Sequence, residues 1–152
     1  ISDNTFIAVG AYQNTSTARD AFIMKFDENA NVIWQKGFGR GNMDYLGSVQ
    51  QTIDNGYIAA GSTASFGNGS YDGWIIKVDS TGTIEWHKAI GSTGGDSFSS
   101  IQQTTDQGFI ISGRYRQNRD ADFDLWIIKM DSEGGFEWQY CYGGDEEGGG
   151  NV

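Results

Sequence analysis

Two series of acidic residues recur along the chain: Asp20, Asp72 and Asp124 are each 52 residues apart, and Asp44 and Asp96, also 52 apart, are followed by Glu147. Carboxylates repeated in this way are hard oxygen donors that could gather Ca2+. A facing pair could also cleave a glycosidic bond by acid–base chemistry. The commoner use of such Asp residues is to close loops by accepting backbone amide protons. No pair stands apart from its repeats, whereas an active site ordinarily breaks a repeat. The expectation is therefore that these six residues are ligand-binding candidates, with calcium the one cofactor they could take, and that none is catalytic.

Other reactive side chains add little. His87 is the only histidine and has no repeated partner, which opposes a Ser-His-Asp triad or a multi-histidine metal site. Cys141 is the only cysteine, so no disulfide forms within the chain; it stands where the second unit has Ala89 and reads as a small buried residue. Lys25, Lys77 and Lys129 lie between apolar neighbours at the same 52-residue interval. They read as stems laid along apolar surface with each ammonium on a carboxylate; a ring of lysines around a shared anion is the alternative. Trp34, Trp86 and Trp138 keep a fixed place after a turn and read as structural. Phe66, Tyr71 and Tyr115 fall in loops where they could stack on sugars or cap the packing. Arg114-Tyr-Arg116 and Glu146-Glu147, the main departures from the repeat, read as solvated loop.

The elements that position these residues follow from the repeat itself. Besides the series above, Asp27, Asp79 and Asp131 keep the 52-residue interval, as do Asp54 with Asp106 and Gly61 with Gly113. In the middle copy four strand-like segments follow one another: 56–61, 73–79, 83–90 and 98–104. Each is rich in β-branched or aromatic residues and bounded by Gly, Asp, Asn or Ser. The second is apolar on both faces, as in a strand buried between sheets; the third and fourth alternate, as nearer a rim. Asp79-Ser-Thr-Gly82 and its counterparts form tight turns, and Asp54-Asn-Gly56 and Asp106-Gln-Gly108 form the other tight link. The predicted fold is all-β and β-propeller-like: three repeats of four antiparallel strands, in units of about 4–55, 56–107 and 108–152 with the last incomplete. A parallel β-helix is the runner-up, but it lacks such strict Asp-to-Gly hairpins.

The stretch Lys77-Val-Asp79-Ser-Thr-Gly82-Thr-Ile-Glu-Trp86 resembles the Trp-docking turn of quinoprotein-type propellers. The whole unit more closely resembles the repeats of Bacteroidetes-like secreted or cell-surface propeller proteins. Their pattern of Asp-aromatic-apolar-apolar-Lys-x-Asp, Gly, Trp, then a Gly-rich loop with Asp and a Ser-Ile-x-x-Thr-x-Asp-x-Gly run is met by Asp72 through Trp86 and by Asp96 through Gly108. The resemblance implies an extracellular or cell-surface location and is poor for activity, because such repeats occur in many large proteins.

Composition narrows the function. Ten Lys plus Arg against 20 Asp plus Glu give a net charge of −10, which opposes non-specific binding to nucleic acid or anionic membrane. Apolar runs are far too short to span a bilayer. Three blades are too few to close a propeller, and the opening Ile1-Ser-Asp-Asn4 carries neither initiator Met nor signal peptide. The chain is thus expected to be a piece of a larger propeller, or else to close by self-association. The first-to-second and third-to-fourth connections are expected to share one end of the sheets. That end carries the long loops 11–19, 62–71 and 114–123 and all six acidic candidates, and loops on a rigid scaffold are where binding resides. The expected function is a non-catalytic binding or structural module serving adhesion, scaffolding or ligand presentation, with a glycan or protein ligand. The alternative is a fragment of a propeller enzyme, quinoprotein-like or polysaccharide-degrading.

Overall fold

A computed structural model describes residues 4–13 and 18–143. The described chain is all-β: eleven strands, paired antiparallel within each of three sheets, and without a helix. The first sheet holds β1 (Thr5–Gln13), β2 (Arg19–Asp27) and β3 (Val32–Phe38) in that order. The second holds β4 (Asp44–Gln51), β5 (Tyr57–Thr63), β6 (Asp72–Val78) and β7 (Ile84–Ile90). The third holds β8 (Ser97–Gln103), β9 (Phe109–Tyr115), β10 (Asp124–Met130) and β11 (Phe136–Tyr142).

The sheets fall out of step with the sequence units by one strand. Segment 98–104, expected as the outer strand of the unit 56–107, is β8, and it bonds to β9 of the next sheet. The cause is local. In the turn after β8, Thr104 N donates to Gly108 O at 2.9 Å and Gln107 N to Thr104 O at 2.9 Å. Gly108 N and the Thr104 hydroxyl both donate to Asp106 Oδ1. Asp54 closes the turn between β4 and β5 in the same way. These Asp–Gly links therefore make hairpins within a sheet, and the chain crosses to the next sheet at 91–96. Nor is β8 at a rim: it packs over β4, β5 and β6 of the preceding sheet, as β4 packs over β1 and β2.

Two-sided burial of the middle sheet follows from its sequence. Every residue of β6 is buried. Alternate side chains point to opposite faces of a strand, so Tyr57, Ala59, Trp74, Ile76 and Val78 pack with Ala21, Ile23 and Phe38 of the first sheet. On the other face, Ile58, Ala60 and Ile75 pack with Phe98, Ile101, Phe109, Trp126 and Ile128 of the third sheet. Full burial of one such side chain is worth roughly 1.5–3 kcal/mol, so the stack itself supplies most of the driving force. The third strands β3, β7 and β11 are the exposed ones.

The repeated tryptophans bridge neighbouring sheets. The Trp34 ring meets Tyr57 edge-on at 5.8 Å, and its Nε1 donates to Ser80 O at 3.2 Å. Trp86 meets Phe109 in the same manner at 6.0 Å. Each ring covers a turn glycine of the next sheet, Trp34 over Gly82 and Trp86 over Gly134. Trp138 is 40% exposed and contacts Tyr140. Gly82 has φ of +81°, and a Cβ there would lie 2.9 Å from the Trp34 ring. Gly82→Ala is expected to lower stability in urea unfolding by about 1–3 kcal/mol, while Ser80→Ala two residues away, exposed and bonded only through its backbone, changes it little.

Candidate functional site

The two ends of the strands use their polar residues differently. At the hairpin end, the repeated lysines of the second and third sheets are buried and satisfied. The Lys77 side chain is 4% exposed, and its Nζ lies 2.7 Å from both Asp54 Oδ2 and Glu85 Oε2. Lys129 repeats this with Asp106 at 3.0 Å and Glu137 at 3.3 Å. Lys25 lies over the Tyr57 ring at 5.9 Å. Burial pushes the Asp54 carboxyl up, but the Lys77 ammonium, the Thr52 hydroxyl and the Gly56 amide outweigh it and hold Asp54 down at about 2. The Thr104 hydroxyl and Lys129 hold Asp106 at about 2 as well. Lys77 and Lys129 thus face their own carboxylates, not a shared anion.

At the opposite end lie the acidic candidates. Asp20, Asp44, Asp72 and Asp96 are all buried, and they meet in pairs across a glycine. Asp72 Oδ1 and Asp96 Oδ2 lie 2.4 and 2.5 Å from the point where a Cβ on Gly91 would sit; Asp20 Oδ1 and Asp44 Oδ2 stand at 2.4 and 2.5 Å around Gly39 in the same way. Gly39 and Gly91 thus each pack against both carboxylates of a pair, with no room for a side chain. Asp124 approaches Gly143 alike; Glu147, like Glu146, lies outside the described residues.

Much of the oxygen capacity of these pairs is spent on loops. Asp44 accepts from the Thr63 and Ser65 hydroxyls and the Ser65 amide. Asp96 Oδ2 accepts Ser92 N at 2.6 Å, and its Oδ1 accepts Arg116 N at 2.7 Å. Asp72 Oδ2 accepts Gly69 N at 3.0 Å. Asp96 N donates to Tyr71 O at 2.8 Å, which ties the crossover of one sheet to the long loop of its neighbour.

Between these tied loops the sheets leave crevices. One, of about 230 Å3, lies between the first and second sheets and is lined by Ala11, Arg19, Met43, Asp44, Tyr45 and Tyr71. The next, of about 310 Å3, lies between the second and third sheets and includes Ser62, Tyr71, Gly95, Asp96, Ser97 and Phe123 in its walls. The two are the same place in successive repeats: the strand register equates Ala11 with Ser62, and the 52-residue interval equates Arg19 with Tyr71, Met43 with Gly95, Asp44 with Asp96, Tyr45 with Ser97, and Tyr71 with Phe123. Only the buried Asp is kept. Arg114 and Arg116 also reach the second crevice.

The aromatic candidates separate. Phe66 packs on Trp74 at 5.5 Å and on His87 at 5.0 Å, and Tyr115 packs on Trp126 at 5.3 Å, so both cap the core. Tyr71, 37% exposed, lines both crevices. Tyr45 and Phe123, which sequence reasoning passes over, are crevice walls and half exposed. Arg114, expected in a solvated loop, is in β9 and lines the crevice. The signal for it is the register position held by Ala11, Ser62 and then Arg114. His87 accepts from Trp74 Nε1 at 3.4 Å, where Gln139 serves Trp126 in the third sheet at 3.0 Å. Burial, then the charges of Asp124 and Asp96, push the Cys141 thiol up to about 11, so it carries no thiolate at neutral pH. No protein-family model matches this chain, and no curated protein is similar enough to it to count as a relative.

Burial, together with repulsion from Asp96, raises the Asp72 carboxyl above its ordinary value against the opposing amides of Gly69 and Asn68. A carboxyl raised in the folded state stabilises the fold below its unfolded value, and that contribution is lost as pH rises through the folded value. Asp72→Asn, which keeps an acceptor for the Gly69 amide, is therefore expected to gain on the native chain between pH 4 and pH 7. Thermal unfolding at the two pH values measures it, as a midpoint for Asp72→Asn that rises relative to that of the native chain on going from pH 4 to pH 7.

Proposed function

We infer that the chain is a run of β-propeller blades acting as a non-catalytic binding module of a secreted or cell-surface bacterial protein. The observation that carries this reading is the contrast between positions. Residues that join sheet to sheet (Trp34 and Trp86, Gly82 and Gly134) or brace a single sheet (Lys77 and Lys129) recur unchanged, whereas five of the six equivalent crevice positions differ between the two crevices. A purely architectural repeat has no reason to vary one cluster of partly exposed positions at a single end of its strands. Variation there, on loops held by buried carboxylates, is how a rigid scaffold presents different ligands.

The stacking of an antiparallel sheet on each face of the four-stranded middle sheet supports the propeller arrangement. The described part of the first sheet has three strands where the others have four; the remainder of a larger propeller, or a second copy, is the partner that would complete it. The resemblance of the repeat supports the extracellular location. The acidic balance opposes nucleic acid as a partner, and no helix among the described residues is long and apolar enough to cross a membrane.

An immobilised-glycan array, with extracellular matrix proteins on the same surface, tests the reading with the whole chain as probe. Binding to a restricted set of these, with the bound glycan recovered intact, is the expected result. Cleavage or oxidation of a bound glycan would make the chain part of a propeller enzyme, and no retention on any surface would remove the binding role.

A further inference from the structure

The second crevice carries a guanidinium at a wall position that is Ser62 one repeat earlier; the first crevice has Arg19 in its wall, at the position Tyr71 holds in the second. Arg114 occupies the register position of Ser62 and Ala11. Its Nε donates to Ser97 Oγ at 3.0 Å, and its guanidinium lies 4.6 Å from the centre of the Phe123 ring. These two contacts fix the head group in the crevice wall and leave its terminal amino groups to a ligand. Among the described residues no carboxylate pairs with it, although the chain holds twice as many acidic as basic residues. Arg116 also lies on Phe123, at 5.1 Å, but its donors go to Ala121 O at 2.8 Å and to Arg119 O, so it holds the loop. The acid in the same crevice, Asp96, is 1% exposed, and the Arg116 and Ser92 amides engage both its oxygens.

Around Arg114 the crevice offers hydroxyls and a ring. Ser62 and Ser70 line it with Ser97, and Tyr71 presents a partly exposed aromatic wall. An adjoining recess of about 380 Å3 shares Ser62, Ser97 and Arg114, and adds the exposed Tyr45. Together they form a groove within the range of small-ligand sites. A guanidinium with two unused parallel donors selects a planar carboxylate. Hydroxyls flanking an aromatic wall suit a ring with one C–H face and an equatorial belt of hydroxyls. The groove runs past β4 and β8, the edge strands of their sheets, so an acidic peptide pairing with an edge is the competing ligand that an oligoglutamate probe tests.

The geometry points to a uronate-bearing oligosaccharide as the ligand of this groove, its carboxylate on the terminal amino groups of Arg114 and a sugar ring against Tyr71. This rests on the binding-module reading and goes further by fixing the charge class of the sugar.

Titration calorimetry of the whole chain tests it with three probes: an oligogalacturonate, the same oligomer with its carboxyls reduced to alcohols, and an oligoglutamate of equal charge. The expected result is binding of the oligogalacturonate alone, weakened by salt. Arg114→Ser, which restores the Ser62 residue type at an exposed position, lowers that affinity about ten-fold or more and leaves the circular dichroism spectrum unchanged. Tyr71→Ala weakens it too. Equal binding of the reduced oligomer, or an unchanged affinity in Arg114→Ser, would overturn the charge assignment and leave the module reading standing. Equal binding of oligoglutamate would overturn the sugar. Failure of all three probes, with other glycans retained on the array, overturns this inference alone; failure on both removes the binding role as well.

Discussion

A β-sheet with two apolar faces is hidden from water only when another sheet covers each face, and this constraint orders the rest of the molecule. β6 is buried along its whole length because Trp74 and Ile76 point into one neighbouring sheet and Ile75 into the other. Trp34 and Trp86, on the third strands of the first two units, then serve to cover the turn glycine of the next sheet. Lys77 and Lys129, set between apolar residues, carry their ammonium groups out to two carboxylates each at the hairpin end. The tryptophans and glycines recur because a change in one unit would unseat its neighbour, and the lysines because each ties the hairpin turn to the outer strand of its own sheet.

The same constraint explains why function gathers at the other end. Where the long loops begin, crevices open between neighbouring sheets, and buried carboxylates tie the loops down beside them. Asp44 and Asp96 act as loop fasteners, and the crevice walls beside them can change residue type without disturbing the core. A wall that is Ala11, Met43 and Tyr45 in one repeat becomes Ser62, Gly95 and Ser97 in the next. The cost of burying these carboxylates, with the like charge of Asp96 adding to it, shows in the raised Asp72 carboxyl.

Much of this was legible in the sequence. Periodicity gave the strands, the all-β class, and the end at which the acidic residues gather, because side-chain alternation and Asp–Gly turn chemistry are local. Sheet membership was not legible. Segment 98–104 has Gly- and Asp-containing links on either side, and only the hydrogen bonds of Asp106 to Gly108 and Thr104 decide that it joins β9. At the site, the repeat marked Asp72 and Asp96 as candidates but could not show that both close on one glycine, Gly91. Arg114 was visible as a break in the repeat, yet its place in a crevice depends on the neighbouring sheet supplying Ser62 and Tyr71, a non-local fact. Phe66 and Tyr115 show the converse: loop aromatics by sequence, they turn inward onto Trp74 and Trp126.

Amide hydrogen exchange measures the stacking constraint most directly, since backbone groups in the most enclosed strands open only with the whole domain. The account predicts that β5 and β6 exchange slowest, that β9 and β10 follow, and that β3, β7 and β11 exchange fastest. Protection of β6 no greater than that of β7 or β11 would contradict it, because the middle sheet would then not be enclosed on both faces.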